Sequence, residues 1–379
     1  MKKQLKLLLS IADRFNDNRI EPPCIYAGMC GGCALQHFDY STQLEIKKEY
    51  CNALLNNVAF VDAVEPSIAL GYRNRMDYVT AFGKVGLRRR GSFKHVVDLH
   101  DCLLLQEKSR QVFATIREKL SGVEDYNYLI HKGYLRYVVL RQGYNTGQVM
   151  ANLVVAREEN NCEHVINAIY DAVDSISLIL SDGLADLSYG KVFDDIKQGY
   201  IEESLDGIIY QITPNSFFQA NTFMTQIMYR EIACQVYGNV LDMYCGVGSI
   251  SLFVAARAEY VTGVEASHEA ITVAGHNATL NGINNVSFIQ GDALEYTSQH
   301  TLQYDVAIVD PPRTGLGPKV VDKLLQAGIP RIVYMSCNPT TFAQDAAMLC
   351  DRYSLAWCKA YDMFPQTPHV ELLAVFDRK

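Results

Sequence analysis

Cys337 closes the run Arg331-Ile-Val-Tyr-Met-Ser-Cys-Asn-Pro-Thr340, which reads as a buried strand that breaks at once into a turn. A thiol at the end of such a strand is a candidate nucleophile, because ligands and chemistry collect at the strand ends of α/β sheets. Free cysteine is also a frequent core residue, so the position alone decides little. Two other segments change the balance. Asp305-Val-Ala-Ile-Val-Asp-Pro-Pro-Arg313 sets Asp310 at the end of another strand, and Phe364-Pro-Gln-Thr-Pro-His-Val-Glu371 brings His369 and Glu371 to the start of a last one. Taken singly, Asp310 reads as a turn residue and Glu371 as a solvated strand residue. Together with a thiol they are the equipment for attack on a pyrimidine: a nucleophile for C6 and a base for a ring proton.

A group donor needs its own site. Val240-Leu-Asp-Met-Tyr-Cys-Gly-Val-Gly-Ser-Ile-Ser251 is a strand, a Gly-x-Gly turn and a helix start. Gly246 and Gly248 allow close backbone approach to a ligand, and Ser249 is placed to cap the helix. The next strand ends at Glu265, where a carboxylate can bind ribose hydroxyls. A third ends near Asp292, within reach of an adenine amino group. Residue 251 is Ser, so the full Gly-x-Gly-x-x-Gly is missing, and the three strand ends resemble class I S-adenosylmethionine methyltransferases more than a dinucleotide enzyme. A methyl donor completes the pyrimidine chemistry: uracil C5 is a poor nucleophile until a thiolate at C6 turns the ring into an enolate. An amino-methyltransferase would need no thiol and commonly has an aromatic where Arg313 stands here.

The elements that must carry these residues follow a regular alternation after Pro214. Helices are expected near 219–237, 249–257, 268–281, 318–327 and 339–350, with strands near 240–244, 260–265, 286–290, 305–309, 331–335, 353–361 and 370–377. That rhythm predicts an α/β fold with a mostly parallel, helix-covered sheet. From about 64 to 213, β-rich runs predict an α+β domain with antiparallel pairing. The expected division is 1–103 for an N-terminal cysteine-bearing segment leading into the centre, 104–213 for a central RNA-binding domain and 214–379 for the catalytic domain.

With 379 residues, 49% of them hydrophobic, the chain can fill more than one core, and no apolar run reaches a membrane span. A net charge of −8 excludes indiscriminate polyanion binding, but Tyr72-Arg-Asn-Arg75, Leu87 to His95 and His131 to Arg136 mix cations with aromatics and could form a local basic face. A cytoplasmic monomer with no membrane partner is expected. Eleven cysteines, an odd number without a secretory leader, disfavour disulfides. Cys24, Cys30 and Cys33, with a distant Cys102, supply four thiolates, enough for zinc or a [4Fe-4S] cluster.

Gln219 in Ser216-Phe-Phe-Gln-Ala-Asn221, Asp242 to Gly248, Asp310-Pro-Pro-Arg-Thr-Gly315, Ser336-Cys-Asn-Pro339 and His369-Val-Glu371 together resemble the RNA uracil-5 methyltransferase family. The resemblance implies a Rossmann-like catalytic domain, Cys337 as nucleophile and Glu371 as proton acceptor. It implies S-adenosylmethionine contacts from Gln219, Tyr244, Ser249, Glu265, Asp292 and Asp310, and iron and sulfur rather than zinc at Cys24, Cys30, Cys33 and Cys102. Only about twenty residues precede the cysteine motif, too few for the TRAM-type barrel of many relatives, a length far below an ordinary domain. Short relatives with the cysteines act on large-subunit RNA, so 23S rRNA is the expected substrate and the tRNA T loop the alternative. A noncatalytic RNA-binding protein on a methyltransferase fold is the reading from another class.

Overall fold

The computed structural model describes residues 2–56 and 58–379. Helices α1 (Lys2–Ala12) and α2 (Tyr40–Leu55) flank the cysteine-bearing turn, and strand β1 (Val64–Glu65) follows. The central part runs β2 (Arg75–Ala81), β3 (Lys84–Arg88), β4 (Val96–Asp98), α3 (Glu107–Lys119), β5 (Leu135–Gln142), β6 (Val149–Val155), α4 (Glu163–Ile169), β7 (Ser175–Leu180) and β8 (Lys191–Lys197). A hairpin, β9 (Ile201–Leu205) and β10 (Ile208–Ile212), leads into α5 (Thr222–Ala233), β11 (Asn239–Met243), α6 (Ser249–Val254), β12 (Tyr260–Glu265), α7 (His268–Leu280) and β13 (Val286–Gln290). The chain ends with α8 (Ala293–Gln299), β14 (Val306–Val309), α9 (Gly317–Ala327), β15 (Arg331–Ser336), α10 (Pro339–Leu349), β16 (Tyr353–Tyr361) and β17 (Glu371–Arg378).

Apolar runs such as Val306-Ala-Ile-Val309 are buried throughout, as parallel strands covered on both faces must be. They form an eight-stranded sheet of order β1-β16-β17-β15-β14-β11-β12-β13. Pairing is parallel except at β17, which inserts antiparallel between β15 and β16. The chain steps from β11 to β12 on one side and later to β14 on the other, so a switch point lies between β11 and β14, where ligands bind in open α/β sheets. No described helix is long and apolar enough to cross a membrane.

The central sheet has seven strands, β4-β3-β2-β5-β6-β7-β8, antiparallel except between β6 and β7. Helix α3 stacks Phe113 on Tyr78 of β2, ring centroids 3.7 Å apart.

Sheet membership differs from the expected boundaries. The central sheet begins at β2, across the line drawn at 103/104. Strand β1 instead pairs with β16, and α2 packs on α10 of the catalytic layer. The β9–β10 hairpin sends Ile201, Tyr210 and Ile212 into the core around Met228 and Val240, and α7 ties it down through hydrogen bonds from Ile209 and Gln211 N–H to Asn281 and Asn277 at 2.8 Å. Helix α8 lies outside the helices expected after Pro214.

Candidate active site

The ends of β11, β14 and β15 and the start of β17 open on one cavity of about 530 Å³. Gln219, Tyr244, Ser249, Glu265, Asp310, Cys337 and Glu371 all line it. Asp292 does not. One oxygen of its carboxylate accepts hydrogen bonds from Leu294 and Glu295 N–H at 2.9 and 3.2 Å and caps α8. Burial and then the Asp292 charge push the Tyr244 phenol up to about 12. Ser249 also departs from expectation: no side chain caps α6, and the Ser249 hydroxyl is hydrogen-bonded to that of Tyr229 at 2.9 Å.

The turn before α6 is built for close approach. Gly246 has φ 54° and a Cβ there would meet nothing within 4 Å, so this side of the turn faces open cavity. Gly248, at φ 76°, is required by packing, since a Cβ would sit 2.8 Å from the Phe288 ring. Tyr244 adopts φ 65° with its N–H on the Val264 carbonyl at 2.9 Å, a strained backbone of the kind that persists at functional sites. Glu265 accepts from Gly246 and Ser267 N–H at 3.3 and 2.9 Å, which holds its carboxylate beside the turn.

Across the cavity, acids crowd together. Burial, then the Asp242 charge, raise the Asp310 carboxyl to about 7, against a hydrogen bond from Gln219 Nε2 at 3.2 Å. Asp242, fully buried in β11, is raised to about 7 chiefly by burial. One of its oxygens accepts from the Ser251 hydroxyl at 2.5 Å and the other has no protein partner. The sequence reading gave Asp242 no role, although a carboxylate inside an apolar strand was the available signal. Glu371, 2% exposed, is pushed well above the carboxylate range by burial and then by Asp310. Burial, then Glu371 and Asp310, raise the Cys337 thiol to about 12, while Arg313 pulls it down. The lining carries Glu265, Asp310 and Glu371 against the one guanidinium of Arg313, an acidic excess that a sulfonium ion would complement.

His369 packs edge-on to Phe364, centroids 5.9 Å apart. Burial, then Arg313, Lys47 and Arg73, hold its imidazole down at about 4, which favours the neutral ring at pH 7. Arg313, read from the sequence only as a departure from an aromatic, ties two strand-end loops together: its carbonyl accepts from Asn338 Nδ2 at 2.9 Å.

A second cavity of about 630 Å³ adjoins the first, and the two share Phe217, Arg313 and Phe364. Cys24, Cys30, Cys33 and Cys102 line it, together with Arg73, Arg75, Arg88 and Arg141. Burial and the neighbouring thiols raise Cys33 to about 12, and Cys102 rises to about 11, chiefly through burial. Gly32 N–H and Gln36 Nε2 donate to the sulfurs of Cys30 and Cys33 at 3.4 and 3.3 Å, the outer-shell bonds that a coordinated thiolate uses. Among the described residues no three such side chains stand at metal-holding distances. The four thiols therefore share a cavity without a formed coordination sphere. Their number, mutual repulsion and N–H donors fit a metal or cluster.

The sheet order, with its reversed β17 and a cavity at the switch point, defines a class I S-adenosylmethionine-dependent methyltransferase. Residues 188–379 match the tRNA (uracil-5-)-methyltransferase family. A Pyrococcus horikoshii protein, named tRNA (uracil(54)-C(5))-methyltransferase, is 37% identical over 94% of this chain and 86% of its own length. A Staphylococcus aureus protein, named as an uncharacterized RNA methyltransferase, is 35% identical over 98% of this chain and 87% of its own. The crystal structure of Pyrococcus abyssi tRNA (uracil-54, C5)-methyltransferase in complex with S-adenosyl-L-homocysteine superposes with a TM-score of 0.83, at 35% identity, over 95% of this chain and 85% of that one. The chain belongs to the RNA uracil-5 methyltransferase family and is an S-adenosylmethionine-dependent RNA uracil-C5 methyltransferase.

Proposed function

We propose that Cys337 is the nucleophile and Glu371 the proton acceptor in methylation of C5 of an unpaired or flipped uridine. The observation that carries this reading is their shared cavity wall, at the ends of the adjacent strands β15 and β17, with Asp310 beside them. S-adenosylmethionine, when bound, supplies a methyl group on positively charged sulfur. Gln219 and Asp310 would orient the reacting end, and Tyr244, Ser249 and Glu265 would hold the nucleoside. The Cys337 thiol gives up its proton to solvent as the sulfur adds to C6, and the displaced ring electrons make C5 nucleophilic. After C5 is methylated, Glu371 takes its proton as the C6–S bond breaks, which returns the thiolate and leaves 5-methyluridine. A base inside a helix cannot present C6 to a thiol, so the uridine must leave the stack.

The second cavity suits the neighbouring nucleotides. Phe217 is 69% exposed and could stack a base. Arg141 is buried on the carbonyls of Thr213 and Ser216 at 2.7 and 2.5 Å and Arg75 is ion-paired with Asp77 at 2.8 Å, so a phosphate would meet Arg73, which lines the same cavity. The relatives named for uracil 54 of tRNA move our preference from 23S rRNA to a tRNA T loop. Cys24, Cys30, Cys33 and Cys102 are proposed to hold a structural [4Fe-4S] cluster, with zinc as the alternative.

The test is a pair of variants. Cys337→Ala should lose both methyl transfer and the denaturant-stable protein–RNA adduct, whereas an amino-methyltransferase would keep its activity. Glu371→Gln should accumulate the methylated adduct; full turnover in that variant removes Glu371 from the role. Transcripts of tRNA and of 23S rRNA, assayed side by side, decide the RNA.

A further inference from the structure

The loop from Asp362 to Val370 joins β16 to β17, forms part of the catalytic cavity through Phe364 and His369, and ends on Glu371. Little of what holds it belongs to its own sheet. Gln366, at its tip, has φ 70°, a left-handed conformation uncommon for a residue with a side chain and kept only where the surroundings over-determine it. Those surroundings come from the N-terminal segment. The Gln366 carbonyl accepts from Ala34 and Leu35 N–H at 2.7 and 3.0 Å. Its N–H donates to Gln43 Oε1 at 3.1 Å, and its side-chain Oε1 accepts from Gln43 Nε2 at 2.9 Å. Both glutamines are buried.

The start of the loop is held from the same helix. Lys47 and Asp362 form an ion pair at 2.5 Å with neither side chain exposed. Lys47 Nζ also donates to the Phe364 carbonyl at 3.0 Å, and the Tyr40 hydroxyl donates to the second Asp362 oxygen at 3.0 Å. A buried ion pair is a costly way to stabilise a fold, and its best-attested use is to fix one arrangement among several.

We propose that Gln43 and Lys47 are positioning residues for the proton-abstraction step: they clamp the Asp362–Val370 loop so that Phe364 and His369 wall the cavity and the Glu371 carboxyl faces the ring. Neither touches substrate; each acts through the loop. This rests on Glu371 as the proton acceptor. Ala34 directly follows Cys33, so the four-cysteine site lies one residue from the clamp.

The clamp is tested by splitting the reaction. In a single turnover on RNA carrying tritium at uracil C5, methyl transfer to RNA, including RNA still bound to protein, is compared with tritium release. Wild-type protein should show the two together; no tritium release from wild type would instead sink the uracil-C5 reading itself. Gln43→Met, which removes both bonds to Gln366 at similar volume, should slow tritium release about tenfold more than methyl transfer, so that methylated adduct accumulates. S-adenosylhomocysteine affinity should change less than twofold. Gln43→Glu, which keeps an acceptor for the Gln366 N–H, should recover part of the loss. If Gln43→Met does not fold, Gln366→Asn, which tolerates the left-handed backbone and shortens the amide, carries the same expectation. Equal slowing of both steps, or no slowing in a folded variant, overturns the proposal.

Discussion

Binding of S-adenosylmethionine should weaken about tenfold between pH 8 and pH 6, while binding of S-adenosylhomocysteine should not. Asp310 is held at about 7 by burial and by Asp242, so the ligand-free protein carries it largely protonated at pH 6 and largely ionised at pH 8. A ligand that needs the carboxylate ionised loses affinity in proportion to the ionised fraction, from about nine-tenths to about one-tenth over that range. That ratio is about 1.4 kcal/mol. The sulfonium can supply it: two opposite unit charges about 5 Å apart at an effective dielectric near 20 interact by about 3 kcal/mol. The sign follows directly, since the cation favours the ionised acid and affinity is lost as pH falls through about 7. S-adenosylhomocysteine has the same nucleoside and amino-acid ends but a neutral sulfur, so effects at those ends cancel. Calorimetric titrations of both ligands at pH 6, 7 and 8 measure the difference, and buffers of different ionisation enthalpy count the released proton. Asp310→Asn should flatten the profile for S-adenosylmethionine to twofold or less. Parallel pH dependence for the two ligands, or a flat profile for both in wild-type protein, would refute an acid wall matched to the sulfonium.

Asp242→Asn should stabilise the folded protein at pH 8 more than at pH 5, by on the order of 1–3 kcal/mol in urea unfolding. Its folded-state pKa of about 7 lies above the unfolded value of 3.8, so wild-type stability drains away as pH rises between them and the variant escapes that loss. Protein purified without oxygen should carry iron and sulfide with broad visible absorption, both lost in Cys102→Ser; colourless protein with stoichiometric zinc would refute the cluster. Phe217→Ala should weaken RNA binding by about 1–3 kcal/mol in a filter or anisotropy assay, the cost of one stacked base, and should weaken S-adenosylmethionine binding less.

The catalytic half was legible because its signals are local. Val306–Val309 is a continuous apolar run, Tyr260–Glu265 and Val286–Gln290 are rich in β-branched and apolar residues, and the sequence places the C-terminal ends of all three correctly. The chemistry sits at those ends: Glu265 closes β12, Asp310 and Cys337 directly follow β14 and β15, and Gly246 lies in the turn after β11. The central sheet was less readable: Lys191–Lys197 has no fully buried residue and no apolar period, and β3 and β4 are short. Helix α8, which Asp292 caps, is a short element outside the expected alternation.

The sequence by itself determined the kind of chemistry: a thiol, two carboxylates and a Gly turn in the order of one α/β alternation, with four further cysteines set apart. Tertiary structure decided what those groups are. Long-range pairing inserts β17 between β15 and β16 and so brings Glu371 to the cavity shared with Cys337. Burial, a property of the whole core, lifts Asp242 and Asp310 to about 7 and makes the wall a partner for a cation. The Gln43–Gln366 pair links residues 323 positions apart, a contact that no local pattern encodes, because hydrogen-bond partners across such a distance are chosen by packing.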